Sequence, residues 1–214
     1  MPPKTKKQTS FILKELLRSY PDVHTQLRHE NPFQLLCATI LSAQCTDKQV
    51  NAVTPALFAR FKRPQDFADA DILEIEEFIR PTGFFHSKAK KLKDCAEKLI
   101  AVHGGVVPND MEALLALPGV GRKTANVVLN AAFGVPGIVV DTHVKRISFR
   151  LGLTENTDPE KIEYDLMEAL PKKTWIDFSL WLIYHGRAVC TARKPKCPDC
   201  TLKFACPKNG VETT

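Results

Sequence analysis

Two closely spaced glycines and a lysine, in Leu117-Pro118-Gly119-Val120-Gly121-Arg122-Lys123-Thr124-Ala125-Asn126-Val127-Val128, form the grouping in this chain with the most chemistry in it. Met111 to Leu117, before the glycines, has apolar residues at helical spacing, and Arg122 to Phe133 is rich in helix formers until Gly134 and Pro136 stop it. The glycines therefore punctuate a helical hairpin. Both allow positive φ and close backbone approach, and the unpaired N–H groups at the start of the second helix can receive a phosphate. An ordinary hairpin with a glycine cap satisfies the same pattern. On position alone Lys123 reads as a phosphate contact. To act as a nucleophile its amine must be neutral, against an ordinary pKa of about 10.4, and each unit of depression takes about 1.36 kcal/mol. A helix N-terminus disfavours a cation by only about 0.3 to 1 kcal/mol, so a nearby base or a desolvating pocket is required as well.

A carboxylate suited to that task is Asp141, in Val139-Val140-Asp141-Thr142-His143-Val144-Lys145-Arg146, where an apolar run gives way to a helical pattern. It stands at an N-cap position, and capping alone would account for it. His143 reads as a packed or phosphate-contacting residue and not as a member of a dyad.

Of the seven cysteines, Cys37, Cys45 and Cys95 are scattered through helical patterns and read as small buried apolar residues. The other four form C-x6-C-x2-C-x5-C at Cys190, Cys197, Cys200 and Cys206, interleaved with Pro195, Pro198 and Pro207. Such a loop can wrap a metal centre. Structural zinc usually takes two tight pairs, whereas one close pair flanked by two singles suits a 4Fe-4S cluster, although spacing alone leaves zinc open. A disulfide scaffold is disfavoured in a chain with no secretory signal, since Met1 to Ser10 is lysine-bearing and lacks an apolar segment.

The elements that must position these groups are helices. The pattern predicts them over Phe11–Tyr20, Pro32–Ala43, Asp47–Phe61 with a kink or split at Pro55, Asp71–Ile79, Ser87–His103, Met111–Leu117, Arg122–Phe133, Asp141–Leu151, Pro159–Leu170 and Thr174–Val189. The β-branched run Gly137 to Val140 is too short to establish a sheet. No apolar run approaches the roughly 20 residues needed to span a bilayer. The chain holds 30 Lys plus Arg against 24 Asp plus Glu, a net charge of +6 that favours a polyanionic partner without requiring one. Its basic residues gather in Lys4, Lys6, Lys7, Lys14 and Arg18 and again around the cysteines, in Arg187, Arg193, Lys194, Lys196, Lys203 and Lys208.

The hairpin, the Val139–Arg146 segment and the cysteine spacing resemble the endonuclease III family of helix-hairpin-helix DNA glycosylases, over nearly the whole chain. The resemblance implies an all-α helix-hairpin-helix glycosylase fold with two helical domains and an active-site cleft between them. It implies a six-helix barrel domain at residues 25–135 that carries the hairpin, and a domain of residues 1–24 and 136–214 that carries a 4Fe-4S cluster on Cys190, Cys197, Cys200 and Cys206. In function it implies a bifunctional DNA glycosylase and AP lyase of base-excision repair. Lys123 is then the nucleophile at the sugar C1′ that releases an oxidised pyrimidine, and Asp141 assists. β-Elimination from the Schiff base cuts the strand 3′ to the abasic site.

This chemistry requires the nucleotide to be turned out of the duplex. Leu41-Ser42-Ala43-Gln44-Cys45-Thr46-Asp47 resembles the family segment whose glutamine enters the vacated space, here Gln44, with Asp47 as a support. Gly83-Phe84-Phe85-His86-Ser87-Lys88-Ala89 resembles the second insertion loop, whose wedge is commonly leucine and here is Phe84. Without the resemblance, Gln44 would be a helix-terminal polar residue and Phe84 and Phe85 core residues, which remains the preferred reading of Phe85. The implied DNA contacts are completed by Gly119, Val120, Gly121 and Arg122 of the hairpin and by Arg193, Lys194 and Lys196 of the cysteine loop.

The expected partner is double-stranded DNA containing damaged bases or abasic sites, with no membrane, for a monomer in a bacterial cytoplasm, associated with the nucleoid. Two alternatives remain. An adenine-mismatch-type monofunctional glycosylase would lack the lysine and carry a further C-terminal domain, whereas this sequence has Lys123 and ends at Thr214. A non-enzymatic DNA-binding iron-sulfur module would bind without forming a covalent adduct.

Overall fold

In the computed structural model, which describes residues 5–211, eleven α-helices and three short 3-10 turns account for the regular structure, and no strand occurs among the described residues. Lys4, part of the first basic group, lies outside the described residues. The helices are α1 (Lys6–Ser19), α2 (Pro32–Leu41), α3 (Asp47–Arg60), α4 (Pro64–Asp69), α5 (Ile72–Ile79), α6 (Phe85–His103), α7 (Met111–Leu115), α8 (Arg122–Phe133), α9 (Thr142–Leu151), α10 (Pro159–Ala169) and α11 (Trp175–Ala188). Their starts follow from side chains that bond first-turn amides. Thr5, Asn31, Thr46, Asp71, Asp110, Asp141 and Asp158 each accept such a bond, and Pro32 and Pro159 occupy first helical positions.

Thr25–Val135 form one compact unit with α2 to α8. Its core is built from Leu35, Leu36 and Leu41 of α2, Phe61 and Phe67 about α4, Leu92 and Leu99 of α6, and Ala125 and Val128 of α8. α2 packs on α8, and α6 packs on α4 and α5. The sequence pattern finds six helices here and misses α4, whose six residues are too few to display a period. α3 is one helix containing Pro55, so of a kink or a split the split does not occur. α6 starts at Phe85, two residues ahead of the predicted Ser87, because Phe84 acts as its N-cap.

The described residues of Met1–His24 and of Pro136–Thr214 form a second compact unit. Its core joins Ile12 and Leu16 of α1 to Ile147 and Leu151 of α9, Ile162 and Leu166 of α10, and Phe178, Trp181 and Leu182 of α11. α11 packs against both α1 and α9. The Gly137–Val140 run enters α9 as extended chain, with the Val139 amide donating to the Ser179 hydroxyl at 2.9 Å.

Candidate functional site

The hairpin is a four-residue turn between two buried apolar anchors. After α7 ends, the Val120 amide donates to the Leu117 carbonyl at 3.2 Å, with Pro118 and Gly119 between them. Gly119 has φ +79, and proline followed by a positive-φ glycine is the residue order of a type II turn. Leu117 and Val120 are both buried in the unit's core. Gly121 caps α8, whose first internal bond runs from the Ala125 amide to the Gly121 carbonyl at 2.9 Å. The amides of the three residues between them lack the helix's own acceptors.

The two glycines differ, against the expectation of positive φ at both. Gly121 has φ −97, which any residue adopts, and a Cβ there would meet nothing within 4 Å. At Gly119 a Cβ would stand 3.0 Å from the Lys91 Cβ of α6. Gly119 therefore serves the turn and its packing, while Gly121 leaves open the space in front of the α8 amides. In α8, Ala125, Val128 and Leu129 face the core and Lys123 is exposed one turn earlier.

Elsewhere in this unit, Gln44 (φ 51) and Phe84 (φ 49) are two of only three non-glycine residues with positive φ among the described residues. Each such conformation costs on the order of 1 to 3 kcal/mol and persists only where its surroundings hold it. Gln44 is exposed between α2 and α3, and Phe84 is 65% exposed at the head of α6. Phe85, by contrast, is half-buried against the core, with the Arg80 guanidinium 5.4 Å from its ring centre. Lys88 braces the Phe84 segment: it is only 3% exposed, and its Nζ donates to the Thr82 carbonyl at 2.9 Å. Burial holds Lys88 below the ordinary lysine pKa, opposed by the neighbouring Cys45 sulfur and reinforced by Lys91. One ammonium thus sits close to both strained segments. Cys45 is half-buried rather than fully buried as expected, unlike Cys37 and Cys95. Burial raises the thiol pKa of both of those, that of Cys95 to about 12, which keeps them protonated.

In the second unit, Asp141 caps α9 through one oxygen, its Oδ1 accepting from the His143 and Val144 amides at 2.8 Å each. The cap holds the carboxylate in a set orientation. His143 is packed against α11, where a Cβ on Gly186 would fall 2.4 Å from its Nδ1.

The cysteine loop has little regular structure beyond a 3-10 turn at Cys197–Asp199. Side chains from α9 hold it. Arg150, 6% exposed, donates to the carbonyls of Thr191 and Ala192 at 2.7 and 2.8 Å and to the Cys190 sulfur at 3.4 Å. Arg146 donates to the Cys190 carbonyl at 2.9 Å. Cys190, Cys197, Cys200 and Cys206 line one cavity together with Ile147, Leu151 and Leu202. Burial pushes the Cys200 thiol up, a backbone amide bond opposes this, and the other three cysteines add to the rise. Among the described residues no three His, Cys, Asp or Glu side chains converge on a point that one metal ion could fill. Arg193, Lys194 and Lys196 are exposed on the same loop. So is Phe204, 87% exposed with the Lys203 ammonium 5.5 Å from its ring centre, which the sequence pattern does not single out.

Arg150, Lys88 and His185 are the structural finds at these sites. His185 is 2% exposed; its Nδ1 lies 3.1 Å from the Tyr20 hydroxyl and its Nε2 lies 3.5 Å from the Cys200 sulfur. Burial lowers its pKa to about 4. A signal existed for two of the three: Arg150 lies between Ile147 and Leu151, and Lys88 is one turn before Leu92, each a charge on an apolar stripe.

Residues 37–172 match the HhH-GPD superfamily of base excision DNA repair proteins. The chain is 54% identical over 203 residues to endonuclease III of Synechocystis sp., covering 94% of this chain and 93% of that one. It is 41% identical over 195 residues to endonuclease III of Escherichia coli K12, covering 91% and 92%. A structure of a trapped endonuclease III–DNA covalent intermediate superposes with a TM-score of 0.92 at 44% identity, covering 96% of this chain and 97% of that one.

Proposed function

This chain belongs to the HhH-GPD superfamily of base excision DNA repair proteins, and we propose that its Lys123 is the nucleophile and Asp141 its partner in excising oxidised pyrimidines. The protein is a DNA glycosylase and AP lyase of base excision repair that acts on double-stranded DNA. The Nζ lone pair of Lys123 attacks C1′ of the extruded nucleotide, and the bond from C1′ to the base breaks with its electron pair leaving on the base. The C1′–O4′ bond then opens, its electron pair and the proton from nitrogen going to O4′, and the C1′–N bond becomes an imine, which acidifies the C2′ proton. Loss of that proton expels the 3′ phosphate and cuts the strand. Asp141 offsets positive charge on the sugar or accepts a proton, for which a carboxylate oxygen outside its capping bonds is suited.

The observation that carries this reading is the arrangement at the hairpin. An exposed lysine stands in the first turn of a helix whose amides face open space at Gly121. A backbone phosphate held by those amides, with Gly119, Val120 and Arg122 alongside, would bring the sugar to Lys123. Gln44 and Phe84 fill the space left by the extruded base, and their strained, exposed backbones support that role.

The cysteine loop fits a 4Fe-4S cluster: four thiols around one cavity, one of them already receiving a bond from a buried arginine. Cys190, Cys197, Cys200 and Cys206 would hold it, and when bound it supplies a fixed frame for the loop. That frame sets Arg193, Lys194 and Lys196 toward the DNA backbone. Residues 25–135 serve as the hairpin-bearing barrel domain and the remainder as the cluster domain. We place the protein as a monomer in a bacterial cytoplasm, associated with the nucleoid; no helix among the described residues is long and apolar enough to cross a membrane.

Borohydride trapping tests the nucleophile. Wild-type protein on a duplex with one oxidised pyrimidine is expected to give a covalent adduct, and Lys123→Ala none. An adduct that survives the substitution would move the nucleophile elsewhere; a wild type that releases base without an adduct would favour monofunctional chemistry.

A further inference from the structure

Tyr20 follows directly on α1, and His185 lies in the last turn of α11. The two meet across 165 residues of sequence, with the phenol oxygen 3.1 Å from Nδ1, while the opposite ring nitrogen, Nε2, reaches the Cys200 sulfur at 3.5 Å. The ring is thereby pinned at both nitrogens. Its position is fixed further from outside the ring: Trp181 donates through Nε1 to the Tyr20 carbonyl at 3.0 Å, and the Val189 and Cys190 amides both donate to the His185 carbonyl, at 2.9 and 2.8 Å.

The proton's location follows from elementary chemistry. A ligating cysteine is a thiolate and has no proton to give, so the only hydrogen between Nε2 and Sγ must be on the nitrogen. With Nε2 the donor to sulfur, Nδ1 is the ring atom left facing the Tyr20 hydroxyl, 3.1 Å away, and a phenol O–H against a bare ring nitrogen donates to it. The chain of bonds runs from Tyr20 O–H to Nδ1 and from Nε2–H to the Cys200 sulfur. Hydrogen bonds to ligand sulfur draw electron density from it and favour the more reduced state, so they raise a cluster's reduction potential.

We propose that Tyr20 and His185 form a hydrogen-bond relay that locks the imidazole as an Nε2–H donor to Cys200, and that this relay sets the potential of the cluster on that loop. The inference rests on the reading of the four cysteines as cluster ligands and adds two positioning residues to it. It also gives the N-terminal segment a chemical link to the C-terminal loop, through a single phenol hydrogen.

The test uses the full-length, cluster-loaded protein, with iron content and visible absorbance recorded first and the midpoint potential measured by voltammetry. Tyr20→Phe removes only the hydroxyl and is expected to lower the potential while iron content stays at the wild-type level. His185→Gln, whose amide can still donate near the Nε2 position, is expected to stay closer to wild type than His185→Met, which should show the largest fall. Ring nitrogen shifts of wild-type protein labelled with 15N-histidine should report the Nε2–H tautomer. If Tyr20→Phe and His185→Met both load iron and both keep the wild-type potential, the relay is refuted while the cluster stands. If His185→Met loses its cluster, the Tyr20→Phe potential and the tautomer decide the matter. A wild-type protein free of iron overturns the underlying assignment and the relay with it.

Discussion

The hairpin at 117–124 and the loop at 190–206 both present exposed cations, yet different forces shape them. At the hairpin, Leu117 and Val120 are buried, one backbone bond closes the turn, and the strain falls on Gly119, where it costs little. Nothing but the chain is needed. The cysteine loop has a single 3-10 turn, and its carbonyls and sulfurs are satisfied by Arg146, Arg150 and His185 reaching from α9 and α11. Apolar anchoring makes a site that stands alone. Polar anchoring around four thiols makes one whose shape depends on what the thiols hold.

The most severe way to break that contrast is Cys197→Ser. Losing one of the four proposed ligands is expected to give colourless, poorly folded protein with DNA affinity down by more than about tenfold, because structural metal binding is itself folding free energy. Visible absorbance, circular dichroism and duplex binding measure it. A brown, active variant would show that the loop holds its shape without Cys197 and that the ligand set is wrong.

Asp141→Asn comes next. Asparagine caps a helix about as well as aspartate, so stability and duplex affinity should stay near wild type. Single-turnover excision should fall by about 10²- to 10⁴-fold, the usual contribution of a positioned acid or base. Equal losses of affinity and rate would reduce Asp141 to a cap.

The mildest and sharpest comparison lies within the hairpin. Gly119→Ala forces a side chain into positive φ against Lys91 and should cost about 1 to 3 kcal/mol, read as a lower Tm. Gly121→Ser puts a good cap at an unstrained position with open space, so Tm should hold within about 0.5 kcal/mol of stability. Its DNA affinity should nevertheless drop, since the new side chain occupies the space in front of the α8 amides. Were the two variants to melt alike and bind alike, the division of labour between the glycines would be lost.

What the linear sequence determined was whatever depends on neighbours within a turn or two. Arg122–Phe133 is a helix because its formers run unbroken to Gly134, and Asp141 caps α9 because a short carboxylate precedes first-turn amides that need an acceptor. Helix α4 escaped notice for the same reason, being shorter than two turns. Tertiary structure alone decided that a side chain at Gly119 would press on Lys91, 28 positions earlier, whereas the positive φ there belongs to the local Pro-Gly turn. It likewise decided that Gln44 and Phe84 are held in strained conformations, that Lys88 and Arg150 are buried among carbonyls and sulfur, and that Tyr20 meets His185. Those outcomes rest on desolvation and on contacts between residues far apart in the chain, and neither quantity exists until the helices have packed.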